Sequence, residues 1–574
     1  MRQITKALDE IQTRWLSIAI LSLATLIYFA SVRRVSLLQW DDAYITFRFA
    51  QHFAQGQGLI WNIGGERVEG FTSFLHVLLL AIPIKFAVAP EVGGLALGIG
   101  SVLLTAGMIG FMIRRQFGRL VPAAAIVLGL YLVDQATAIH STSGLETQLF
   151  VVMLCAAFLT AWFFIETPRW QTALGLALLV FLSVLARPEG VLYGAAMYGT
   201  LAVYALYLLR HTHQRACLGY VGLSATVLVL LGAMYAVWKY NYFGYLLPNP
   251  FYVKSNQLAL KGIEPVWVFV RHTVIWYTPL AAGFILLGGR RIIPVLENVK
   301  TWMKIGLTLI TPLPALIYYL TITHEVGGAY RFTYPIYFYG VMATAACASV
   351  ATRAIQTKPR VLAGLSLVTV AYLFVPIVIQ QSWRISPLPR DPFMQYHWNI
   401  ALALKETGLG PKATVLTDAA GVIPYVSEFN QVDRVGLVDN FLSGRQKIAL
   451  QEREQYIWNR PLDVYIGGEP PAFAGAQRPE DDPRLRTRYV THLLTRELTF
   501  IEDRIFVQDP ALLHARMREL RDRWIWVGEV EWAGFDAWGL KSFLYVRKDS
   551  PYVQVLQTTL SKIVARKPEQ VTFD

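Results

Sequence analysis

Charged residues are scarce in this 574-residue chain, because Asp, Glu, Lys and Arg together make up only 16% of it. A soluble globular protein carries about 25%. Hydrophobic residues, in contrast, make up 54% of the chain. These proportions exclude a protein that is soluble along its whole length, and an aromatic content of 13% excludes a disordered chain.

Cysteine is also rare. The three cysteines, Cys155, Cys217 and Cys347, all lie in apolar stretches. Three such separated residues do not form a disulfide framework or a thiolate metal site. Free cysteine is commonly buried as a small apolar residue, so we interpret all three as packing residues. The chain also has no internal repeat and no low-complexity tract.

Charge is distributed unevenly along the chain. The formal net charge of +13 lies wholly within residues 1–382, which hold 27 Lys and Arg against 14 Asp and Glu, whereas residues 383–574 hold 25 of each. A cationic excess confined to the apolar part is not typical of nucleic-acid binding, so we expect no nucleic-acid partner. The division predicts a polytopic α-helical membrane domain over 1–382 and a soluble, mixed α/β C-terminal domain over 383–574.

Twelve apolar runs approach the length of about 20 residues that a helix needs to cross the bilayer. They are residues 15–32, 71–88, 92–113, 120–138, 148–165, 171–186, 191–209, 216–238, 274–289, 305–323, 332–352 and 361–382. From Arg114 onward alternate loops are basic, which places these loops and the basic N-terminus in the cytoplasm. The other loops, including the first at about 33–70, and the C-terminal domain then lie outside. Twelve crossings cannot join an inside start to an outside end, so one segment within 71–113 is predicted to be re-entrant or fused, leaving about eleven spans.

After residue 382 the long apolar runs stop. Short alternating stretches at 414–416, 463–466, 524–527 and 543–546 predict strands, and a helical pattern covers 511–524. This mixture predicts the α/β character of the C-terminal domain.

Two adjacent carboxylates, Asp41 and Asp42, follow the first span in the run W-D-D-A-Y-I-T-F-R-F-A. Adjacent carboxylates repel, and near a low-dielectric surface one of them acquires a raised pKa. That suits a general base, which takes a proton from a hydroxyl group. The alternatives are a solvated loop, or the N-cap of a helix over 43–54. A divalent cation is a further alternative, because Mg²⁺ and Ca²⁺ prefer oxygen ligands.

The outer loops carry other polar and aromatic residues that membrane anchoring does not require. The candidates for sugar or acceptor binding are Trp61, Asn62, Glu69, Thr72, Glu146, Arg187, Glu189, Asn249 and Tyr252. Charged residues at membrane depth are costly and are usually functional or mutually paired. A structural pair of Arg187 with Glu146 or Glu189 is therefore the alternative to a functional site, and an interfacial belt is the alternative for the aromatic residues.

Two cations are candidates for holding an anionic group at the outer leaflet. Lys254 follows the helix-breaking prolines of Y-L-L-P-N-P-F-Y-V-K, and Arg331 lies in H-E-V-G-G-A-Y-R-F. Cations bind phosphate oxygens well, and snorkelling to lipid headgroups is the alternative. Carboxylates, glycines, aromatic residues and cations are thus predicted on one side of the membrane, where a cavity would bind a sugar attached to a lipid phosphate.

Several of these runs resemble a known family. One group of runs resembles the opening loop of the terminal β-(1→2)-arabinofuranosyltransferase family of mycobacteria: D-D-A-Y-I-T-F-R-F-A, G-x-G-L-I-W-N and E-R-V-E-G-F-T-S-F-L. Wider bacterial relatives of this family are sometimes labelled flagellar motor control proteins. Five further runs look like later blocks of the family, in the same order: S-G-L-E-T, A-R-P-E-G, G-Y-L-L-P-N-P-F-Y-V-K, G-G-A-Y-R-F and T-D-A-A-G-V-I-P-Y. The chain departs from the family at Ala329, where relatives often have Asp, and at Phe71 and Ser73, where they often have Tyr and Asn.

The family belongs to the GT-C superfamily of integral-membrane glycosyltransferases. The resemblance implies transfer of a sugar from a polyprenyl-phosphate donor to a glycan acceptor at the periplasmic face of the bacterial inner membrane. It also implies a catalytic base at Asp41 or Asp42. In this hypothesis Lys254, Arg331 and Arg48 stabilise the leaving phosphate. A flippase for lipid-linked sugars, with intramembrane charges along its pathway, and a non-catalytic scaffold for envelope or motor assembly are the competing hypotheses.

Overall fold

The structure is a computed structural model that describes residues 2–36, 39–117, 122–255, 262–288, 298–322, 330–355, 392–445, 448–467, 510–531 and 541–564. Within these ranges a helical first part is followed by a five-stranded sheet with flanking helices. The predicted domain boundary at residues 382 and 383, and the predicted span over 361–382, lie outside the described residues.

The first part of the chain contains fifteen described helices. They are α1 (Arg2–Arg34), α2 (Asp41–Ala54), α3 (Phe74–Lys85), α4 (Pro90–Phe117), α5 (Pro122–Val133), α6 (Gln135–Thr142), α7 (Thr147–Glu166), α8 (Trp170–Ala186), α9 (Gly190–Thr212), α10 (Arg215–Phe243), α11 (Asn249–Ser255), α12 (Ile263–Gly288), α13 (Val299–Ile310), α14 (Leu313–Thr321) and α15 (Tyr334–Ile355).

Six stretches of described helix are long and apolar enough to cross a bilayer, and a seventh is added if α5 and α6, which meet at a bend of 49°, form one broken span. The six are Arg14–Arg34, Pro90–Arg115, Thr147–Glu166, Gly190–Thr212, Arg215–Phe243 and Val299–Thr321. The chain is therefore a helical membrane protein. The figure of about eleven spans includes stretches outside the described residues and stays a prediction.

The segment over 71–113 contains one short and one long helix. α3 has 12 residues, with Pro83 near its end, so at 1.5 Å per residue it is about 18 Å long, well short of the roughly 30 Å of a bilayer core. α4 is long enough to cross. A short first helix agrees with the prediction that this segment does not make two full crossings.

The C-terminal domain is built around one mixed sheet. Its elements are α16 (Pro392–Glu406), β1 (Thr414–Thr417), α17 (Val422–Ser427), β2 (Asn430–Asp433), α18 (Leu450–Trp458), β3 (Val464–Gly467), α19 (Pro510–Arg523), β4 (Trp524–Glu531), β5 (Lys541–Arg547) and α20 (Val553–Leu560). The strand order is β2-β1-β3-β5-β4; the first three strands are parallel, and β5 is antiparallel to both of its neighbours. The four predicted strands match β1, β3, β4 and β5, and the predicted helix over 511–524 matches α19.

A shared apolar core joins the region between α1 and α3 to the C-terminal domain. It contains Phe47 of α2, Phe71 of the same region, Ile400 of α16 and Val415 of β1, all of them buried. Because close-packed cores fix the positions of the elements that form them, α2 is held against the sheet. This packing brings the start of α2 to the segment that follows β1.

Candidate active site

Asp41 is the first residue of α2 and follows the extended residue Trp40. Acidic residues in the first turn are favoured by the helix dipole. Oδ1 of Asp41 accepts a hydrogen bond of 2.8 Å from the backbone N–H of Val422, at the start of α17. Burial raises the pKa of Asp41 to about 7 despite this bond, and the adjacent Asp42 adds to the rise. A carboxyl group that titrates near neutral pH is suited to taking up a proton during a reaction.

Gly421 lies directly against Asp41. A Cβ atom at Gly421 would overlap the backbone carbonyl and the carboxyl group of Asp41. Glycine permits this close approach because it has no side chain. The backbone of the segment between β1 and α17 therefore forms part of the environment of Asp41.

Asp42 is one end of a chain of charged side chains. Its Oδ2 lies 3.6 Å from Nη1 of Arg331, whose Nη2 donates to Oε1 of Glu146 at 3.2 Å. Nε of Arg187 lies 3.8 Å from the same oxygen of Glu146, and its Nη2 donates to Oε1 of Glu189 at 2.9 Å. The structure thus places five of the residues chosen from the sequence in one charged network that alternates in sign.

This charged network is buried. Arg187 and Glu146 are each 3% exposed. Burial by itself raises the pKa of Glu146, but the guanidinium groups of Arg331 and Arg187 outweigh it and lower the pKa to about 2. Three carboxylates and two guanidinium groups leave the network with one surplus negative charge. It therefore has no excess positive charge for an anionic ligand.

Removing one cation from this network should destabilise the fold. We expect Arg187→Gln to lower the free energy of unfolding by about 3–5 kcal/mol, because the negative charges of Glu146 and Glu189 then stay buried with too little positive charge beside them. Thermal unfolding in detergent, followed by tryptophan fluorescence, measures the effect as a lower Tm. Arg523→Gln, which removes the more exposed Arg523–Glu519 pair, is the matched control and should change little. Equal Tm values for the two variants would contradict a stabilising role of the network.

Glu69 belongs to a second cluster. Its Oε2 lies 2.9 Å from Nζ of Lys239 in α10, and burial raises the pKa of Glu69 to about 7 against the attraction of that cation. The backbone carbonyl of Glu69 accepts a hydrogen bond of 2.9 Å from the N–H of Asn249 in α11. Tyr252 of the same helix lies beneath the guanidinium group of Arg445 from the C-terminal domain. Three predicted binding residues, Glu69, Asn249 and Tyr252, thus meet Lys239 and Arg445.

Arg48 donates hydrogen bonds to three backbone carbonyl groups. Its Nε donates to the carbonyl oxygen of Trp61 at 2.9 Å, Nη2 donates to that of Phe429 at 2.9 Å, and Nη1 donates to that of Pro424. These bonds tie α2 to the C-terminal domain. Because its guanidinium group is buried and bound to three carbonyl groups, the geometry does not favour phosphate binding by Arg48.

Trp61 and Asn62 also contact the C-terminal domain. Trp61 is 1% exposed, and its Nε1 donates to Oε1 of Gln431 at 3.1 Å. Asn62 exchanges two hydrogen bonds with the backbone of Gln431, at 2.8 and 2.9 Å. A sugar ring cannot stack on a buried indole, so the predicted sugar contact of Trp61 does not fit this geometry; both residues dock the first loop on β2.

The structure describes less of the environment of the remaining predicted residues. The backbone of Lys254 lies in α11, but its side chain is outside the described part of the structure. Ala329, one of the departures from the family pattern, lies in the undescribed segment 323–329. Thr72 is half-buried in the bend before α3.

The geometry does not favour a divalent cation at the paired aspartates. Asp41 accepts a hydrogen bond from Val422, and Asp42 faces Arg331, so the two carboxylates do not converge on a common position. Among the described residues, no group of three or more His, Cys, Asp or Glu side chains is placed to hold a metal ion. The residues present therefore do not fit the magnesium or calcium alternative.

Four residues of these clusters are absent from the sequence-based candidates: Lys239, Gly421, Val422 and Arg445. Lys239 carried a signal, because it is the single charged residue in the apolar run 216–243, and such residues are usually functional or paired. Gly421 and Val422 lie within the block T-D-A-A-G-V-I-P-Y, but nothing in that block indicates a contact with Asp41. Arg445 lies in a segment rich in charge, where one more arginine carries no signal.

Comparisons with known proteins identify the fold. No protein-family profile matches the chain, and no curated protein is similar in sequence. ArnT from Cupriavidus metallidurans in the apo state is similar in structure, with a TM-score of 0.50 and 12% identity, over 78% of this chain and 92% of ArnT. The same protein bound to undecaprenyl phosphate matches with a TM-score of 0.50 and 13% identity over the same shares.

The fold is GT-C-like. The fold agrees with the sequence-based prediction, whereas the GT-C superfamily and the arabinofuranosyltransferase family within it stay predictions. At such low identity the similarity concerns the fold alone. The roles of individual residues in the GT-C-like fold of this chain depend on its own geometry.

Proposed function

We propose that this protein transfers a sugar from a polyprenyl-phosphate donor to a hydroxyl group of a glycan acceptor. The observation that carries the proposal is the state of Asp41, a half-buried carboxyl group whose pKa is raised to about 7 and which lies beside a charged network. The GT-C-like fold and the undecaprenyl phosphate bound to ArnT support a polyprenyl phosphate as the sugar carrier.

In the proposed reaction the carboxylate of Asp41 takes the proton of the acceptor hydroxyl. The hydroxyl oxygen attacks the anomeric carbon of the donor sugar and forms the new glycosidic bond. The bond between the anomeric carbon and the phosphate oxygen breaks, and polyprenyl phosphate leaves with the electron pair. A single displacement of this kind inverts the anomeric centre. General-base catalysis of this type contributes about 10²–10⁴ in rate.

Asp42 and its partners position the site. Arg331 holds Asp42, while Glu146, Arg187 and Glu189 hold Arg331. Nε of Arg331 is buried and has no hydrogen-bonding partner among the described residues. We assign that donor to an oxygen of the donor sugar, and Lys254 to the phosphate.

The finer features of the proposal come from the sequence. The family blocks favour arabinofuranose as the sugar and a cell-envelope glycan as the acceptor. The loop charges favour eleven spans, a cytoplasmic N-terminus, and a C-terminal domain on the periplasmic or outer side of the bacterial inner membrane. Thr72 is also assigned to binding of the sugar or the acceptor.

The test is sugar transfer by the purified full-length protein in detergent. A labelled polyprenyl-phosphate sugar and an envelope glycan are incubated with the protein, and the product is detected by mass spectrometry. We expect a covalent glycan product from the natural sequence and none from the double variant Asp41→Asn, Asp42→Asn. Full transfer by that double variant would contradict the proposal.

The rate of transfer should depend on pH. A base acts only when it is unprotonated, and the pKa of Asp41 is raised to about 7. We therefore expect kcat to rise with pH and to level off above about pH 8, as one proton is lost. The control is Glu69→Gln, because the pKa of Glu69 is also raised to about 7; this variant should keep the same profile. A profile that is flat between pH 5 and 9 would exclude Asp41 as the base.

A further inference from the structure

Arg445 presents an unusual guanidinium group at the contact between the C-terminal domain and the membrane helices. Arg445 is half-buried, but all three of its side-chain nitrogens are buried and none makes a well-formed hydrogen bond; the hydroxyl group of Tyr245 is a nearby acceptor. Its Cζ lies 3.4 Å from the centroid of the Tyr245 ring and 5.2 Å from that of Tyr252. Aromatic faces attract a cation, but they leave the N–H donors unused. One neutral tyrosine hydroxyl cannot accept from all five N–H groups of a guanidinium, and buried donors without acceptors are costly, so the site has room for a stronger acceptor.

Asn249 is a second side chain without partners in the same cluster. It is 0% exposed, and neither its Oδ1 nor its Nδ2 has a hydrogen-bonding partner among the described residues. Asn249 and Tyr252 are three residues apart in α11, so their side chains share one face of the helix. The ring of Tyr252 on that face contacts Arg445. Unused donors from α11 and from the C-terminal domain thus lie on the same side of α11.

The charge of this cluster differs from that of the Asp42 network. Lys239 and Arg445 are cationic, and Glu69, which is paired with Lys239, is the carboxylate between them. One positive charge is therefore in surplus here, whereas the network of Asp42 carries a surplus negative charge. An anionic ligand is favoured at the Arg445 cluster.

We propose that Arg445, Asn249 and Lys239 bind the phosphate group of the polyprenyl-phosphate donor, with Arg445 closing the site from the C-terminal domain. This inference rests on the proposed function, because it names the residues that hold the donor. A guanidinium group binds phosphate oxygens through paired N–H donors, and the amide of Asn249 adds a further donor.

The position of the cluster along the chain supports a lipid phosphate. Lys239 lies near the end of the candidate span Arg215–Phe243, and α11 follows directly. A phosphate attached to a membrane-embedded polyprenyl chain lies at the membrane surface, at the level of such a helix end. A phospholipid headgroup has the same chemistry, and the experiment must distinguish the two.

The test measures lipid binding to the full-length protein in nanodiscs of neutral phosphatidylcholine, without acceptor or sugar. Undecaprenyl phosphate is the probe, and the Kd is measured by tryptophan fluorescence. We expect Arg445→Gln to weaken binding at least about tenfold, because charge-assisted hydrogen bonds are lost. Arg67→Gln is the matched control: Arg67 also lies over a tyrosine ring, that of Tyr242 at 4.5 Å, but it is exposed. This control should stay within about twofold, since an exposed cation contributes little.

Asn249→Leu separates binding from folding. Replacing a buried, unpartnered amide by an apolar group of similar size is neutral or stabilising for the unliganded protein. We therefore expect an unchanged or higher Tm together with weaker binding of undecaprenyl phosphate. A lower Tm with unchanged affinity would show that Asn249 is structural and would overturn its assignment.

Three results would overturn the inference as a whole. The first is an unchanged affinity for undecaprenyl phosphate in Arg445→Gln. The second is binding of the uncharged polyprenol with the same affinity as undecaprenyl phosphate. The third is competition by phosphatidylglycerol that is as strong as competition by undecaprenyl phosphate, which would show that the site binds phospholipid headgroups. The proposed function can fail separately. A protein that binds undecaprenyl phosphate through Arg445 but transfers no sugar contradicts only the proposed function, whereas sugar transfer with unchanged affinity in Arg445→Gln contradicts only the present inference.

Discussion

Asp41→Asn should lower kcat for sugar transfer about 1000-fold, which is within the range of general-base catalysis. The amide keeps the shape of the side chain but cannot accept the acceptor proton. KM should change little, because the substitution removes an interaction needed in the transition state rather than one used for binding. Initial rates of glycan formation at saturating donor measure the effect.

Asp42→Asn is the matched control for this prediction. Asp42 faces Arg331 at 3.6 Å, so its loss should disturb the geometry and lower kcat only about tenfold. The two variants also differ in pH dependence: Asp42→Asn should keep the rise of kcat through about pH 7, and the residual activity of Asp41→Asn should be independent of pH. A larger loss of kcat in Asp42→Asn than in Asp41→Asn would show that Asp42, rather than Asp41, is the base.

Gly421→Ala should lower kcat about 100-fold although it adds a single methyl group. Its Cβ would overlap the carbonyl and carboxyl groups of Asp41, so Asp41 or the segment after β1 must move. Displacement of a reacting group by about 1 Å costs roughly 10² in rate. The hydrogen bond from Val422 lowers the pKa of Asp41, so its loss should also shift the pH dependence of kcat to higher pH.

Gly222→Ala provides the control for the glycine prediction. Gly222 lies in α10, where an added Cβ would contact nothing within 4 Å, and alanine should be tolerated there without loss of activity. The shift of the pH profile distinguishes displacement of Asp41 from general destabilisation, because lower stability reduces the active fraction without moving the profile. Normal kcat in Gly421→Ala would show that the C-terminal domain does not position Asp41.

The charged network could be predicted in large part from the sequence. Charged residues near apolar spans are costly unless they are paired or functional, and this singled out Glu146, Arg187 and Glu189, whereas Arg331 was selected as a cation for an anionic lipid group. The structure places all four with Asp42 in one network. The sequence did not settle which of Asp41 and Asp42 is the base, because the difference between them depends on distant partners: Val422 for Asp41 and Arg331 for Asp42.

The contacts between the two domains could not be predicted. Arg48 and Trp61 have the residue types of a phosphate site and a sugar site, but their partners lie more than 300 residues away in the chain. β2, with the sequence N-Q-V-D, has one β-branched residue and no clear alternation, so its strand depends on pairing with β1. Arg445 could not be singled out either, because the C-terminal domain contains many charged residues.

The most direct test of the central claim follows both the sugar and its lipid carrier in proteoliposomes that contain the full-length protein. A labelled polyprenyl-phosphate sugar is supplied with a glycan acceptor, and both the glycan product and the released polyprenyl phosphate are quantified. The proposed reaction predicts one covalently modified glycan for each polyprenyl phosphate released. Movement of the intact lipid-linked sugar across the bilayer without a glycan product would contradict it and favour a flippase.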